Sequence, residues 1–360
     1  MSIYQKLSER LKEYMALEAI SRYEEPVVEM LKNNTRSANL SHSRDGLGSL
    51  IIATKQKNDV PKIMIAAHMD EVGYLVRSIE ENGNILVSVV GGIWPTNVIG
   101  TKAKIVKNKD EKFIYGIFGH TSIHIMEKEQ INKVPTTKEL YLDCGFKNKK
   151  EVLDFGIEIG DRVYMSGETI DMPNNLIAGK AMDNRAGVTV IDFLANKIKD
   201  LELPNQTFIV GTVQEEVGTR GAKTSVSLIN PDVAFAIDTA ASHDTTNAPK
   251  GVAKLGEGVA LLIQDREVLT DPKLVSLLEK IATEKNIPFY KYIAEGGGTD
   301  GCALQYGKGG VPTITLSIPQ RYLHSPIGVA SLVDIQATLD LIYEFVKVFD
   351  KEMLKELKNN

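Results

Sequence analysis

Short apolar runs that alternate with amphipathic helical stretches constrain this chain most. Ile63–Ala67, Gln206–Val213, Val233–Ile237 and Val311–Ser317 read as buried strands, and Leu50–Ala53 reads as one more. Helical patterns lie between and around them, at Glu25–Lys32, Ala186–Ile198, Ala222–Ile229 and Pro272–Lys285. The chain opens on another: Ile3, Leu7, Leu11 and Met15 recur every four positions with charges between them. One long amphipathic helix is expected from Leu332 to Leu357. Strands alternating with helices predict an α/β fold, a mainly parallel sheet covered by helices on both faces.

From 72 to 170 the texture changes. Tyr74–Ile79 and Ile85–Val90 flank Glu81-Asn82-Gly83-Asn84, a hairpin signal, and short β-rich pieces follow at Ala103–Val106 and Phe113–Ile117. Helical periodicity returns only near Lys149–Phe155. The expectation is one discontinuous α/β domain, 1–71 with 171–360, interrupted by a β-rich domain at 72–170.

Composition removes several function classes. Lys plus Arg number 42 against 47 Asp plus Glu, a net charge of −5, so no basic surface for nucleic acid is expected. No run approaches the ~20 apolar residues that cross a bilayer, and the first helix is amphipathic rather than a signal peptide. Cys144 and Cys302 cannot build a disulfide framework or a four-thiolate zinc site, which fits a reducing, cytoplasmic location. Both read as small buried hydrophobes.

Against this background the polar residues that end apolar strands stand out. Ile63–Ala67 runs into His68-Met69-Asp70, and alternation puts His68 and Asp70 on one side. Thr207–Val213 leads to Gln214-Glu215-Glu216-Val217-Gly218, Val233–Ile237 to Asp238, and Val311–Ile318 to Arg321-Tyr322-Leu323-His324. Asp183 precedes a helix in Met182-Asp183-Asn184-Arg185. Each has an ordinary reading as well: a capped histidine, a helix N-cap at Asp183, solvated glutamates, a turn aspartate. Together, His68, Asp183, Glu216, Asp238 and His324 form a ligand set of imidazoles and carboxylates. That set suits two divalent cations sharing a carboxylate, with Zn, Co or Mn compatible. Glu215 is left as a general base for a water that such a pair activates.

Four motifs, Ala67-His68-Met69-Asp70-Glu71-Val72-Gly73, Met182-Asp183-Asn184-Arg185, Gln214-Glu215-Glu216-Val217-Gly218 and Tyr322-Leu323-His324-Ser325, occur in an order that resembles the glutamyl and tetrahedral aminopeptidases, metallopeptidase family forty-two. The resemblance covers essentially the whole chain. It implies a zinc-exopeptidase-like fold, an inserted PDZ-like domain, and a metal-dependent aminopeptidase acting on short peptides. Asp183 would bridge the metals, with His68 and Asp238 on one ion and Glu216 and His324 on the other. Glu215 would be the base, and Asp70 would support His68. Dimers assembling into a tetrahedral dodecamer, with the active sites facing an interior chamber, are implied too.

The chain departs from its relatives at Ser21-Arg22, where many carry Ser-Gly, and at Gly119–His124, where His124 reads as a surface residue. Gly296-Gly297-Gly298-Thr299-Asp300-Gly301 allows close backbone approach to a ligand, so Gly297, Gly298 and Arg321 are candidate substrate contacts. It lacks the Lys-Ser or Lys-Thr of a phosphate loop. A cation for acidic substrates could come from Arg220, Lys223, Lys254 or Arg321. Competing readings are the same metal pair acting on an acylated amino acid or blocked peptide, and a non-catalytic peptide-binding or assembly protein. An endoglucanase is disfavoured, because cleaving a sugar acetal normally uses two carboxyls flanking the bond.

Overall fold

A computed structural model describes residues 1–358. Helix α1 (Ile3–Met15) starts at a Ser2–Gln5 capping box and buries Leu7, Leu11 and Met15, the stripe set by its four-residue spacing. Helix α2 (Glu25–Asn34) follows, with Pro26 in its first turn. Strands β1 (Leu40–Arg44), β2 (Leu50–Thr54) and β3 (Lys62–His68) then begin the main sheet.

The next segment forms a separate sheet: β4 (Gly73–Ile79), β5 (Ile85–Val90), β6 (Lys102–Val106), β7 (Phe113–Phe118), β8 (Tyr141–Asp143) and β9 (Arg162–Met165), with the short helices α3 (Lys128–Ile131) and α4 (Lys149–Phe155). These strands close in the order β4-β5-β8-β7-β6-β9, antiparallel throughout. The barrel has its own core, including Tyr74, Val87, Ile105, Phe118 and Val163.

The main sheet then resumes with β10 (Ile170–Met172), β11 (Leu176–Gly179), helix α5 (Met182–Ile198), β12 (Gln206–Thr212), α6 (Arg220–Ile229), β13 (Val233–Ala241), β14 (Val259–Gln264), α7 (Pro272–Lys285), β15 (Phe289–Ile293), α8 (Gly301–Leu304), β16 (Thr313–Arg321), β17 (Gly328–Ser331), α9 (Leu332–Val348) and α10 (Lys351–Lys358). Its order is β1-β2-β12-β3-β13-β16-β17-β11-β10, with β14 and β15 joined beside β16. Strand β3 shows why this sheet is buried twice over. Ile63, Ile65 and Ala67 pack into the core under α1, α5 and α9, while Met64 and Ala66 face the smaller core under α6 and α8. Among the described residues no helix is long and apolar enough to cross a membrane.

Three expectations need correction. The sheet is mixed: β12, β3, β13 and β16 run parallel, but β1, β2, β17, β11 and β10 join antiparallel. Pairs such as β1–β2 and β10–β11 are joined by tight turns, which impose antiparallel pairing. The closing helix breaks at Phe349-Asp350, because the Phe349 ring turns inward to stack on Phe345 with centroids 4.8 Å apart. Finally, β13 continues to Ala241, so Asp238 lies inside the strand rather than at its end.

Candidate metal centre

The parallel register brings the site together. His68 ends β3 opposite Thr212 of β12, and Asp238 lies on β13, which also flanks β3. After Thr212 the chain turns sharply, with Gln214 at φ +57°, and carries Glu215 and Glu216 back over the strand ends. His324 follows β16, also with positive φ, at +51°. Asp183 is not the helix cap that its position allowed. Asn184 does that work, its Oδ1 accepting from Gly187 N at 2.9 Å, while its amide donates to Ile237 O at 2.8 Å. This leaves the Asp183 carboxyl free to point into the site.

Two overlapping triads result: His68, Asp183 and Asp238, and Asp183, Glu216 and His324. The Asp183 oxygens divide between them. Oδ1 lies 3.1 Å from His68 Nε2 and Oδ2 lies 3.3 Å from His324 Nε2. Asp238 Oδ1 is 3.3 Å from His68 Nε2, and Glu216 Oε1 is 3.4 Å from His324 Nε2. Glu216 Oε1 is also buried without a hydrogen-bond partner. A cluster of acceptor oxygens with an orphan among them, facing two ring nitrogens and no thiolate, fits hard or borderline divalent cations.

The ionisation of this cluster follows from its crowding. Burial opposes protonation of His68, but the Asp238 carboxylate and the nearby Asp183 and Asp70 carboxylates raise it well above its ordinary value. Burial likewise opposes His324, yet the adjoining Asp183 and Glu216 carboxylates push it up to about 11. Burial would raise Asp183, but hydrogen bonds from His324 and His68 pull it far down. Glu215 is raised well above a normal carboxyl, by burial first and then by Asp238, Asp300 and Glu216, with His68 opposing.

Around this cluster lies a frame of hydrogen bonds. His68 Nδ1 lies 3.1 Å from the main-chain carbonyl of Asp70, whereas the Asp70 carboxylate is 3.5 Å away. That carboxylate holds the Glu215–Glu216 turn instead: Oδ1 accepts from Glu215 N at 3.0 Å, and Oδ2 accepts from Glu216 N at 3.2 Å and from Ser21 Oγ at 2.6 Å. Glu24 completes the clamp, its Oε1 accepting from Gln214 N at 2.9 Å and from Arg22 N at 2.8 Å. Sequence reasoning missed Glu24, which sits where any helix N-cap might and carries no motif. The departure at Ser21-Arg22 lies in the same frame, with Arg22 at φ +81°, a conformation that glycine adopts most easily.

Below the site, Glu71 accepts from Lys180 Nζ at 2.8 and 2.9 Å and from Ala19 N at 3.0 Å, and Arg185 donates to the main-chain oxygens of Met69 and Tyr14. Arg185, the last residue of the second motif, is thus a strut for the loop after β3.

The family model for the M42 glutamyl aminopeptidases matches residues 48–341. The chain belongs to this family. It is 33% identical to the glutamyl aminopeptidase of Lactococcus lactis subsp. cremoris over 98% of this chain and 99% of that one. It is 29% identical to the lysyl aminopeptidase of Pyrococcus furiosus over 97% of each. Among solved structures, aminopeptidase APDkam598 from the archaeon Desulfurococcus kamchatkensis superposes with a TM-score of 0.93 at 32% identity, over 100% of this chain and 99% of that one. The Pyrococcus horikoshii TET1 peptidase, which can assemble into a tetrahedron or a large octahedral shell, gives 0.85 at 28% identity, over 95% and 100%. The protein is therefore a metal-dependent aminopeptidase of a dinuclear-metal family.

Two cavities open onto the candidate metal centre. One, of about 490 Å³, is bordered by all of the candidate ligands, and the other, of about 850 Å³, by Glu215, Glu216 and His324. Gly297 and Gly298 line both and so form the rim between them. A Cβ on Gly298 would meet nothing nearer than the Glu267 carboxyl carbon at 3.9 Å. Arg321 lines neither cavity: its guanidinium is held by Asp244 at 3.0 and 2.7 Å. His124 is exposed, in the segment between β7 and β8 of the barrel.

Proposed function

We propose that His68, Asp183 and Asp238 hold one divalent ion and Asp183, Glu216 and His324 a second, with Glu215 as general base, in an enzyme that releases N-terminal residues from short peptides. The observation that carries this reading is the split of the Asp183 oxygens between two histidines. Bound ions supply Lewis acidity toward the scissile carbonyl and acidify the attacking water. Glu215, partly exposed beside both triads, accepts the proton of that water and passes it to the leaving amine. Burial, and then the neighbouring Asp238, Asp300 and Glu216 carboxylates, raise its proton affinity above that of a free carboxyl. Zn, Co and Mn all match the donor chemistry.

The decisive experiment compares a peptide with its N-acetylated form, using the metal-loaded protein and Glu215→Gln. Cleavage only of the free peptide, nearly abolished in the variant while metal content is kept, is expected. Cleavage of the acetylated form at an equal rate would favour an acylated or blocked substrate. Full turnover by Glu215→Gln would remove its role as base.

The six-stranded barrel is taken as the inserted, PDZ-like domain at 72–170 and as the assembly element. Phe113, Tyr115 and Ile117 alternate along β7 and are all about half exposed, an apolar stripe that suits burial against another copy. A tetrahedral dodecamer is the assembly proposed, one of the two that TET1 can form beside a larger octahedral shell, and light scattering distinguishes them by mass.

A further inference from the structure

The two cavities make different demands on a substrate. An N-terminal residue has nothing upstream, so its side chain needs a pocket beside both ion positions. The rest of the peptide needs the roomier route. The cavity of about 490 Å³ meets the first demand, since His68, Asp183 and Asp238 border it along with Glu215, Glu216 and His324. The cavity of about 850 Å³ meets the second, passing along α6 by Lys223 and Asn230 to Tyr306 and Lys308.

The wall of the smaller cavity is a small hydrophobic cluster of its own, Ala240, Ala260, Leu262 and Tyr292, separate from the main core. Ala240, Leu262 and Tyr292 face the cavity. The Tyr292 hydroxyl is engaged with Ser317 Oγ at 2.7 Å, so the ring alone is offered to a ligand. Val252 and Ile293 extend this apolar surface to the mouth, at 58% and 62% exposure.

Besides the candidate ligands, Glu215 and Tyr292, the charged or titratable groups of the cavity are His243, Lys250, Asp265 and Glu295, and His243 Nδ1 is engaged with the main-chain oxygen of Pro249 at 2.9 Å. Asp265 spends Oδ1 on the backbone N–H groups of Glu267 at 2.7 Å and Val268 at 2.6 Å, and its Oδ2, which has no hydrogen-bond partner, is sealed from solvent. Lys250 and Glu295 are exposed, opposite in sign and screened by water. The cations offered by the sequence lie elsewhere: Arg321 is paired with Asp244, Lys223 borders the larger cavity, and Arg220 and Lys254 border neither.

Resting on the aminopeptidase reading above, we infer that this protein prefers neutral, apolar N-terminal residues of leucine or methionine size, held against Leu262 and Tyr292. A glutamate side chain entering there gives up water without gaining a partner, and a lysine gains one only by opening the wall to the sealed Asp265 Oδ2, which corresponds to about 100-fold in kcat/KM for either.

The test measures kcat/KM of the full-length, metal-loaded enzyme on leucyl, methionyl, phenylalanyl, glutamyl and lysyl coumarin reporters. Leucyl or methionyl turnover above glutamyl and lysyl by about 100-fold is expected. Glutamyl or lysyl turnover equal to or above leucyl overturns the inference while leaving the aminopeptidase reading intact. No turnover of any reporter overturns both. Leu262→Ala should raise phenylalanyl over leucyl turnover, and an unchanged ratio in folded protein removes Leu262 from the pocket. Because that residue is buried, the exposed Val252→Arg provides a variant that keeps the core. It should raise glutamyl relative to leucyl turnover about tenfold, and an unmoved ratio counts equally against the pocket's assignment.

Discussion

Asp70→Asn separates two roles that a carboxylate in this position could have. The aspartate receives three donors, Glu215 N and Glu216 N from the turn and the Ser21 hydroxyl, while its own main-chain carbonyl faces His68 Nδ1. An asparagine keeps only one accepting oxygen. Placed at Oδ1 it serves Glu215 N, and Ser21 can rotate to accept from the new amide, but Glu216 N–H then faces an N–H₂ group. Flipped, it serves Glu216 and Ser21 and strands Glu215 N–H. Either way one buried backbone donor loses its partner, which costs about 1–3 kcal/mol. The turn will shift to relieve it, and displacing a catalytic group by about 1 Å can cost roughly 100-fold in rate. Expected, then, is an unfolding free energy from urea titration lowered by that amount and kcat reduced about 10- to 100-fold, with KM little changed and both ions still bound. Elemental analysis, urea titration and steady-state kinetics on one preparation decide it. Loss of the ion at His68 as the main effect would mean that the carboxylate acts on the histidine, and wild-type kcat at full metal content would mean that the turn needs no clamp.

Further expectations follow from the same frame. Glu24 is raised to about 7, by burial first and then by Asp70. Its folded value lies above its unfolded one, so the wild type loses stability as pH rises from the ordinary glutamate range to about 7. Glu24→Gln keeps both bonds through its amide oxygen, so by urea titration it should gain up to about 3 kcal/mol at pH 8, a difference that vanishes at acid pH. A constant difference across pH would refute that assignment. Lys180→Met leaves Glu71 buried beside Arg185 alone and should cost about 3–5 kcal/mol, with much of it recovered in Lys180→Met/Glu71→Gln; a single-variant cost below about 1 kcal/mol would show that Lys180 is dispensable. His68 and His324, raised in the ion-free cluster, must shed protons to ligate, so loading should release protons and weaken as pH falls. Calorimetry in two buffers of different ionisation enthalpy measures this, and buffer-independent heats would speak against it.

Much of the centre was readable because strand periodicity and composition act locally. An apolar run that ends in His68 or Glu215 announces a strand end, and few other residue types could ligate in a chain with only Cys144 and Cys302 as thiols. What could not be read depends on contacts between distant segments. Glu24 reaches Gln214 across 190 positions, and nothing in Ser21-Arg22-Tyr23-Glu24 reveals that. Asn184, not Asp183, caps α5, a choice that depends on Ile237 O being within reach of its amide. The antiparallel edges escaped for a similar reason: β10, β11 and β17 span only three or four residues, too few for periodicity to register. Arg321 looked like a free cation until Asp244, itself in no motif, was found beside it.

The division between what the motifs reveal and what they hide matches a division in the molecule. The candidate ligands sit on, or directly after, the parallel strands at the sheet's centre and at the start of α5, where both faces are packed and little can vary without loss of the fold. Apart from Ala240 of β13, the wall that meets the substrate side chain belongs to β14, β15 and the loops beside them, on a branch next to β16 with only a small cluster to hold it. Substitutions there change which side chain fits while leaving His68, Asp183 and Glu216 in register. The chemistry and the preference are therefore free to diverge, which is consistent with a glutamyl and a lysyl aminopeptidase both aligning with nearly the whole of this chain. Swapping Val252, Leu262, Tyr292 and Ile293 should accordingly move reporter preference without moving metal stoichiometry, and a coupled loss of both would show that the branch is part of the metal scaffold after all.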